Sequence, residues 1–282
     1  MADVIALKEP DRVPFVPKFS GGILQIGGVS QYEAAIDHRN IRAPLAKYLA
    51  RYELDTFFPP AFYPINAMEV LGTEYIRWPG QTHGLDLNMG HQIVDKVFVN
   101  EDQYDAFLAD PSRYLMQNVW AQRHKKLRAL SKISFHDVYE LSHYASMAAF
   151  ADPEVREALL TLMFAGEEAS KWLQYTAEYQ TVAAEYQTPV GATGGTTIPY
   201  DRFADGLRGF VNLPIDVLTI PDKVEKALEL MEMYSNETID FFASIGTKTF
   251  FIPLHGGIDN FMDNNTYRKF YWPGLQRMIE RL

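Results

Sequence analysis

The stretch Thr249-Phe250-Phe251-Ile252-Pro253-Leu254-His255-Gly256-Gly257 decides how this chain is read. Its first six residues are aromatic, β-branched or apolar, the texture of a buried strand, and they run directly into a histidine and two glycines. Three more segments share that texture, at 12–19, 54–60 and 188–193, and each enters a Gly- or Pro-rich loop. Between the first two, Ala35, Ile36, Leu45, Leu49 and Tyr52 fall at helical spacing. Ser30 and Glu33 have the spacing of a capping box, and Pro44 predicts a kink or break. Strand, helix, strand is the opening of an α/β protein with parallel strands. From 74 to 186 the texture changes to an antiparallel hairpin (74–78 with 92–99) and helices at 104–107, 113–130 and 153–185. Helices at about 222–245 and 264–282 follow. The spacing predicts an α/β chain of the TIM-type (β/α)8 barrel family, with only about the first four barrel strands present and a mostly helical excursion after strand 2. No repeat, linker or low-complexity tract divides residues 1–282, so a single domain is expected.

Composition narrows the class. The 282 residues are 47% hydrophobic and 13% aromatic, which excludes a disordered chain. No apolar run approaches the roughly 18 residues a membrane span needs. Asp+Glu at 36 against Lys+Arg at 26 gives a net charge of −10, which argues against a nucleic-acid surface because phosphate binding needs a basic face. Cysteine is absent, so this chain builds no disulfide and no thiolate zinc site. Its first ten residues carry an early charge and no apolar signal stretch. These features predict a cytoplasmic protein that binds neither nucleic acid nor membrane.

In barrels and open α/β sheets, function gathers in the loops after the strands. The first such loop, 20–29, is glycine-rich but lacks phosphate-fingerprint spacing and reads as a flexible connection. In the second, Phe62 and Tyr63 either wall a flat ligand or simply pack. The third follows Gly194-Gly195 and carries Tyr200, Asp201, Asp205 and Arg208. If helical, it places the two carboxylates and the arginine on one face. That face is either an acid/base and anion-holding cluster or a capping aspartate with a local ion pair. The fourth begins at His255 and continues to Asp259. A histidine at a strand's C-terminal end is either a satisfied structural residue or a catalyst. No H-E-x-x-H or similar metal spacing occurs; His38, His124, His136 and His143 lie in helical or linking stretches, and His83 and His91 bracket a Pro-Gly loop.

The segments Phe251–Gly257 and Tyr267-Arg268-Lys269-Phe270-Tyr271-Trp272-Pro273-Gly274-Leu275 together resemble the uroporphyrinogen decarboxylase superfamily. There a strand ends in a Ser-His-Ala-Gly type turn and the next helix carries Phe-x-x-Phe-x-x-Pro-Tyr. Tyr52-Glu53-Leu54-Asp55 leading to Met68-Glu69-Val70-Leu71-Gly72, and Asp11-Arg12-Val13-Pro14, look like further parts of the same pattern. The superfamily also contains corrinoid- and cobalamin-linked methyltransferases. Two departures turn the resemblance away from porphyrinogen decarboxylation. Residues 21–29 hold no arginine to trap substrate carboxylates, and Ala61-Phe62-Tyr63 puts Tyr63 where the family's pyrrole-binding aspartate stands.

The resemblance therefore implies a methyltransferase-type protein handling a corrinoid or related methyl carrier. It casts His255 as proton donor or polar contact, with Asp201 and Asp205 positioning a substrate. Arg208 and Asp259 then serve as binding groups, and Phe62, Tyr63 and Tyr200 as aromatic walls. The substrate is a small molecule or a corrinoid protein. Zinc enters only with ligands from outside this chain, because the family's His-x-Cys segment corresponds to sequence beyond Leu282. A chain ending after four strands is expected to be a truncated product, to form a homo-oligomer, or to be completed by another chain. The alternative is a non-catalytic binding or assembly subunit that retains the scaffold, and porphyrinogen decarboxylation ranks lowest.

Overall fold

The computed structural model describes residues 2–282 other than Ser20, Pro60, Ala61, Asp95, His136 and Thr193. It is 61% helical, and among the described residues only two sheets form, each of two short strands. This overturns the expected TIM-type (β/α)8 architecture. Among the described residues, segments 12–19, 54–60 and 188–193 form ladder pairs only at single parallel bridges, Lys18 with Phe58 and Phe57 with Val190. Segment 249–254 contributes just Phe250–Phe251, parallel to Gly194–Gly195. The physical reason is proline. Pro14, Pro17, Pro59, Pro189 and Pro253 supply no N–H, so hydrophobic segments of strand-like composition cannot extend a ladder. Ser20, Pro60 and Thr193, at the ends of these segments, lie outside the described residues.

The chain divides into two compact units, residues 1–93 with 162–192, and residues 94–161 with 193–282. In the first unit a helix, Gly21–Gly27, occupies the place of the expected glycine loop. Its Ile23 and Leu24 are buried in a cluster with Phe19, Leu45, Phe57 and Tyr179. Burying each such side chain stabilises by about 1.5–3 kcal/mol, more than the roughly 1 kcal/mol a helical glycine costs. The Ser30–Glu33 capping box forms as the spacing predicts, and starts the helix Gln31–Ile36. The break comes at Asp37, earlier than Pro44. Asp37 caps the 3-10 turn His38–Ile41, and Pro44 sits in the first turn of helix Arg42–Leu49, where its missing N–H is harmless. Ile76–Arg77 pairs antiparallel with Gln92–Ile93. The helical stretch expected over 153–185 is two helices, Pro153–Trp172 and Tyr175–Glu185.

The second unit is organised by the helix Pro221–Ser244, entered through a proline at its first turn. Val224, Ala227, Leu228, Met231, Ser235 and Ile239 form its buried stripe, at the three- and four-residue spacing of one helical face. Tyr104, Phe107, Tyr114 and Phe203 form an aromatic group with edge and stacked contacts. The expected helix over 113–130 is interrupted: a π-helical turn spans Leu115–Trp120, and His124 is extended before the 3-10 run Lys125–Lys132. The last helical stretch likewise contains a π-helical turn, Tyr267–Tyr271, before helix Trp272–Arg281. Among the described residues no helix is long and apolar enough to cross a membrane.

A buried ion pair ties this unit together. Arg208 bonds both carboxylate oxygens of Asp216, with Nη2 2.9 Å from Oδ1, and the Tyr104 hydroxyl donates to the same carboxylate at 2.6 Å. The Asp216 side chain is fully buried. Removing one partner of such a pair strands a charge, so Arg208→Met is expected to lower unfolding free energy by about 3–5 kcal/mol in urea titrations. A loss under about 1 kcal/mol would show that the pair bears little of the fold.

The same unit makes stability depend on pH. Burial, and then the neighbouring Arg123 charge, push the His124 imidazole down to about 4. An unfolded histidine, near 6.5, binds a proton that the folded one refuses. Stability from this group is therefore present above about 6.5 and lost as pH falls toward 4. The urea midpoint is expected to fall across that window, and to fall less in His124→Gln; equal slopes in the two proteins would refute it.

Candidate active site

The turn after Phe250–Phe251 is held from below by a carboxylate. Helix Pro199–Phe203 starts with proline at its first turn and passes into a π-helical turn, Ala204–Arg208. π-turns of this kind occur often at functional sites, because the extra residue re-aims the side chains around it. Asp201 from the helix is fully buried and accepts three hydrogen bonds: His255 N–H at 2.7 Å, Gly256 N–H at 2.9 Å and Tyr271 O–H at 2.9 Å. Those donors make burial of the carboxylate tolerable.

Asp205, one turn later, lies with Oδ2 2.8 Å from His255 Nδ1. The imidazole side chain is 48% exposed and the carboxylate 34%. Asp205 is raised above the ordinary aspartate range, chiefly by burial, with its bond to His255 opposing the shift. An ionised Asp205 accepts the Nδ1 hydrogen, which leaves Nε2 as the working nitrogen. One carboxylate thus fixes the backbone beneath the histidine and the other fixes its ring. This is the arrangement of a positioned general acid or base.

Close approach explains the two glycines. A Cβ on Gly256 would meet Asp201 Oδ1 and the Tyr200 ring at 3.0 Å, and one on Gly257 would meet the Tyr271 ring at 2.5 Å. Tyr200 packs 5.6 Å from Tyr271, and its own hydroxyl is buried with no hydrogen-bond partner among the described residues. Burial, with the Asp201 charge adding to it, pushes both phenols up. On the exposed side, the Phe210 ring lies 6.2 Å from the His255 ring and 6.0 Å from Phe261.

The structure thus brings together Asp201, Asp205, His255 and Tyr200 from the residues singled out in the sequence. Arg208, on the same helical stretch, is committed to Asp216 and Tyr104, and its buried guanidinium is already occupied rather than offered to an anion. Asp259 is exposed in the turn beyond Gly257 and makes no side-chain bond to the dyad. Phe62 and Tyr63 belong to the first unit. There Phe62 is buried with its carbonyl accepting from Trp172 Nε1 at 2.8 Å, and the Tyr63 ring lies 4.1 Å from His91. Ala61, quoted beside them, lies outside the described residues.

Sequence reasoning missed Tyr271, Phe210 and Phe261. Tyr271 had a usable signal, an aromatic with a polar tip close after a Gly-Gly turn that leaves it room. Phe210 and Phe261 had none, because only the fold sets Phe210 beside His255 and Phe261 beside Phe210. The chain has no cysteine, and among the described residues no three His, Asp or Glu groups converge on a metal position. Compared with protein-family models, curated proteins and solved structures, the chain finds no match.

If Tyr271 contact with Gly257 sets the turn, Gly257→Ala must displace that ring and loosen its bond to Asp201. A loss of about 1–3 kcal/mol in urea titrations is expected, the usual cost of overpacking. An unchanged midpoint would mean that the turn is not held this way.

Proposed function

We propose that this chain is a methyltransferase-type protein of the uroporphyrinogen decarboxylase superfamily, in which His255 and Asp205 handle the proton that accompanies methyl transfer. The observation that carries the reading is the 2.8 Å Asp205–His255 dyad, set on a turn that Asp201 holds and edged by Phe210 and Phe261. The resemblance of the His255 turn and of Tyr267–Leu275 to that superfamily supplies the reaction class.

Breaking a methyl–oxygen or methyl–nitrogen bond leaves the pair of electrons on the heteroatom. A proton from His255 Nε2 neutralises that leaving group as the methyl departs, and Asp205 stabilises the imidazolium before the transfer. The aromatic rings of Phe210 and Phe261 offer flat apolar faces to the methylated substrate. A corrinoid, brought as the substrate of a carrier protein, supplies the nucleophile that takes the methyl group. The half-exposed dyad favours such a docked partner, because an open surface does not enclose a resident cofactor. The charge balance and the absence of cysteine suit a cytoplasmic setting.

The test is methyl transfer from a methylated ether or amine to a corrinoid protein, followed by the change in visible absorbance. His255→Gln is expected to lower the rate by about 10²-fold or more, and Asp205→Asn by a smaller factor. On the acid side the rate should fall as Asp205 takes up its proton, above the usual aspartate range because its folded pKa is raised. Turnover that survives His255→Gln intact would remove the dyad from the chemistry. No turnover, together with tight binding to a partner protein, would favour a binding subunit instead.

A further inference from the structure

Residues 134–152 of the second unit form a segment in which no described residue is buried. Phe135, Val138, Tyr139, Leu141 and Tyr144 are each 70–93% exposed, and Met147 is exposed as well. The segment contains the helix Glu140–Ser146, followed by the 3-10 turn Met147–Ala151. A helix of seven residues has too few hydrogen bonds to offset its nucleation cost, and its stability normally comes from packing an apolar face. Among the described residues the segment's ring packing is local, Phe135 against Phe150 at 5.8 Å and His143 against Tyr144 at 5.5 Å. Such a cluster of apolar groups marks an interaction surface.

Charge identifies the occupant. From Ile133 to Asp152 there is no lysine or arginine, while Asp137 and Glu140 carry negative charge. The 3-10 run directly before it, Lys125–Lys132, is basic; Lys132 bonds Asp152 and Glu154, while Lys125 and Lys126 are exposed and pair with no acid among the described residues. Isologous two-fold contact requires one surface to hold both halves of each complementary pair, since residue i meets j and j meets i. An acidic, apolar arm beside a basic run meets that requirement within thirty residues. We propose that this surface is the contact between two copies of this chain, each arm lying on the basic run of the other. The exposed side chains would bury on the order of 700 Å² per copy, close to the roughly 800 Å² per partner of a standard stable interface.

Sedimentation velocity on the full chain over roughly a hundredfold range of concentration should show a monomer–dimer equilibrium. The dimer should weaken at high salt, where surface charges are screened. Leu141→Asp with Tyr144→Asp should leave a monomer whose far-ultraviolet circular dichroism matches the parent. Lys125→Glu with Lys126→Glu, and separately Glu140→Lys, should each weaken the dimer by roughly tenfold, and the three together should recover most of it. That recovery is specific to charges that meet one another across two copies. A monomer at all concentrations, a dimer indifferent to Leu141→Asp with Tyr144→Asp, or a charge combination no better than its parts would overturn the proposal.

Discussion

The carboxylate of Asp201 is the constraint on which the His255 turn of the second unit depends. It is fully buried, and among the described residues two backbone N–H groups and one phenol bond it. A buried carboxylate without donors is expensive, so the three groups are drawn to it rather than merely lying near it. They come from the His255–Gly256 turn and Tyr271, 54 to 70 residues further along the chain. The helix starting at Pro199, the strand end at Phe251 and the π-turn at Tyr271 are thereby fastened at one point. What that point fixes is the direction in which His255 leaves the backbone.

Asp205 then takes up the imidazole that Asp201 has aimed. The two carboxylates sit four residues apart, but the widened turn Ala204–Arg208 separates their surroundings. Asp201 is sealed, whereas Asp205 is one-third exposed and raised above the ordinary range by partial burial. Arg208, three residues further, faces the core and neutralises Asp216. One short helical stretch thus holds a sealed carboxylate, a part-exposed carboxylate bonded to an imidazole, and a buried cation. Burial sorts them into roles that residue type alone leaves open.

Sequence patterns carried much of this site and less of the fold. The spacing of Asp201 and Asp205 and the placement of His255 before two glycines pointed to the groups that meet. Capping at Ser30 and Glu33, and the stripe of the helix Pro221–Ser244, were legible because they depend on neighbours within a turn or two. Strand pairing was not legible, because it depends on which distant N–H groups exist to donate. Prolines at 14, 17, 59, 189 and 253 removed donors from segments whose hydrophobic texture still read as strands. The Gly21–Gly27 helix was hidden by its glycines and revealed only by where Ile23 and Leu24 are buried. Arg208 looked available because its partner, Asp216, lies outside the usual three- and four-residue spacing.

The tautomer of His255 tests the dyad most directly. Long-range proton–nitrogen correlation of the imidazole, at a pH where the ring is neutral, reports which nitrogen holds the hydrogen. With Asp205 accepting from Nδ1, the ring should be found as the Nδ1–H form, and Asp205→Asn should shift the balance toward Nε2–H. A ring that is predominantly Nε2–H in the parent protein, with no response to Asp205→Asn, would contradict it.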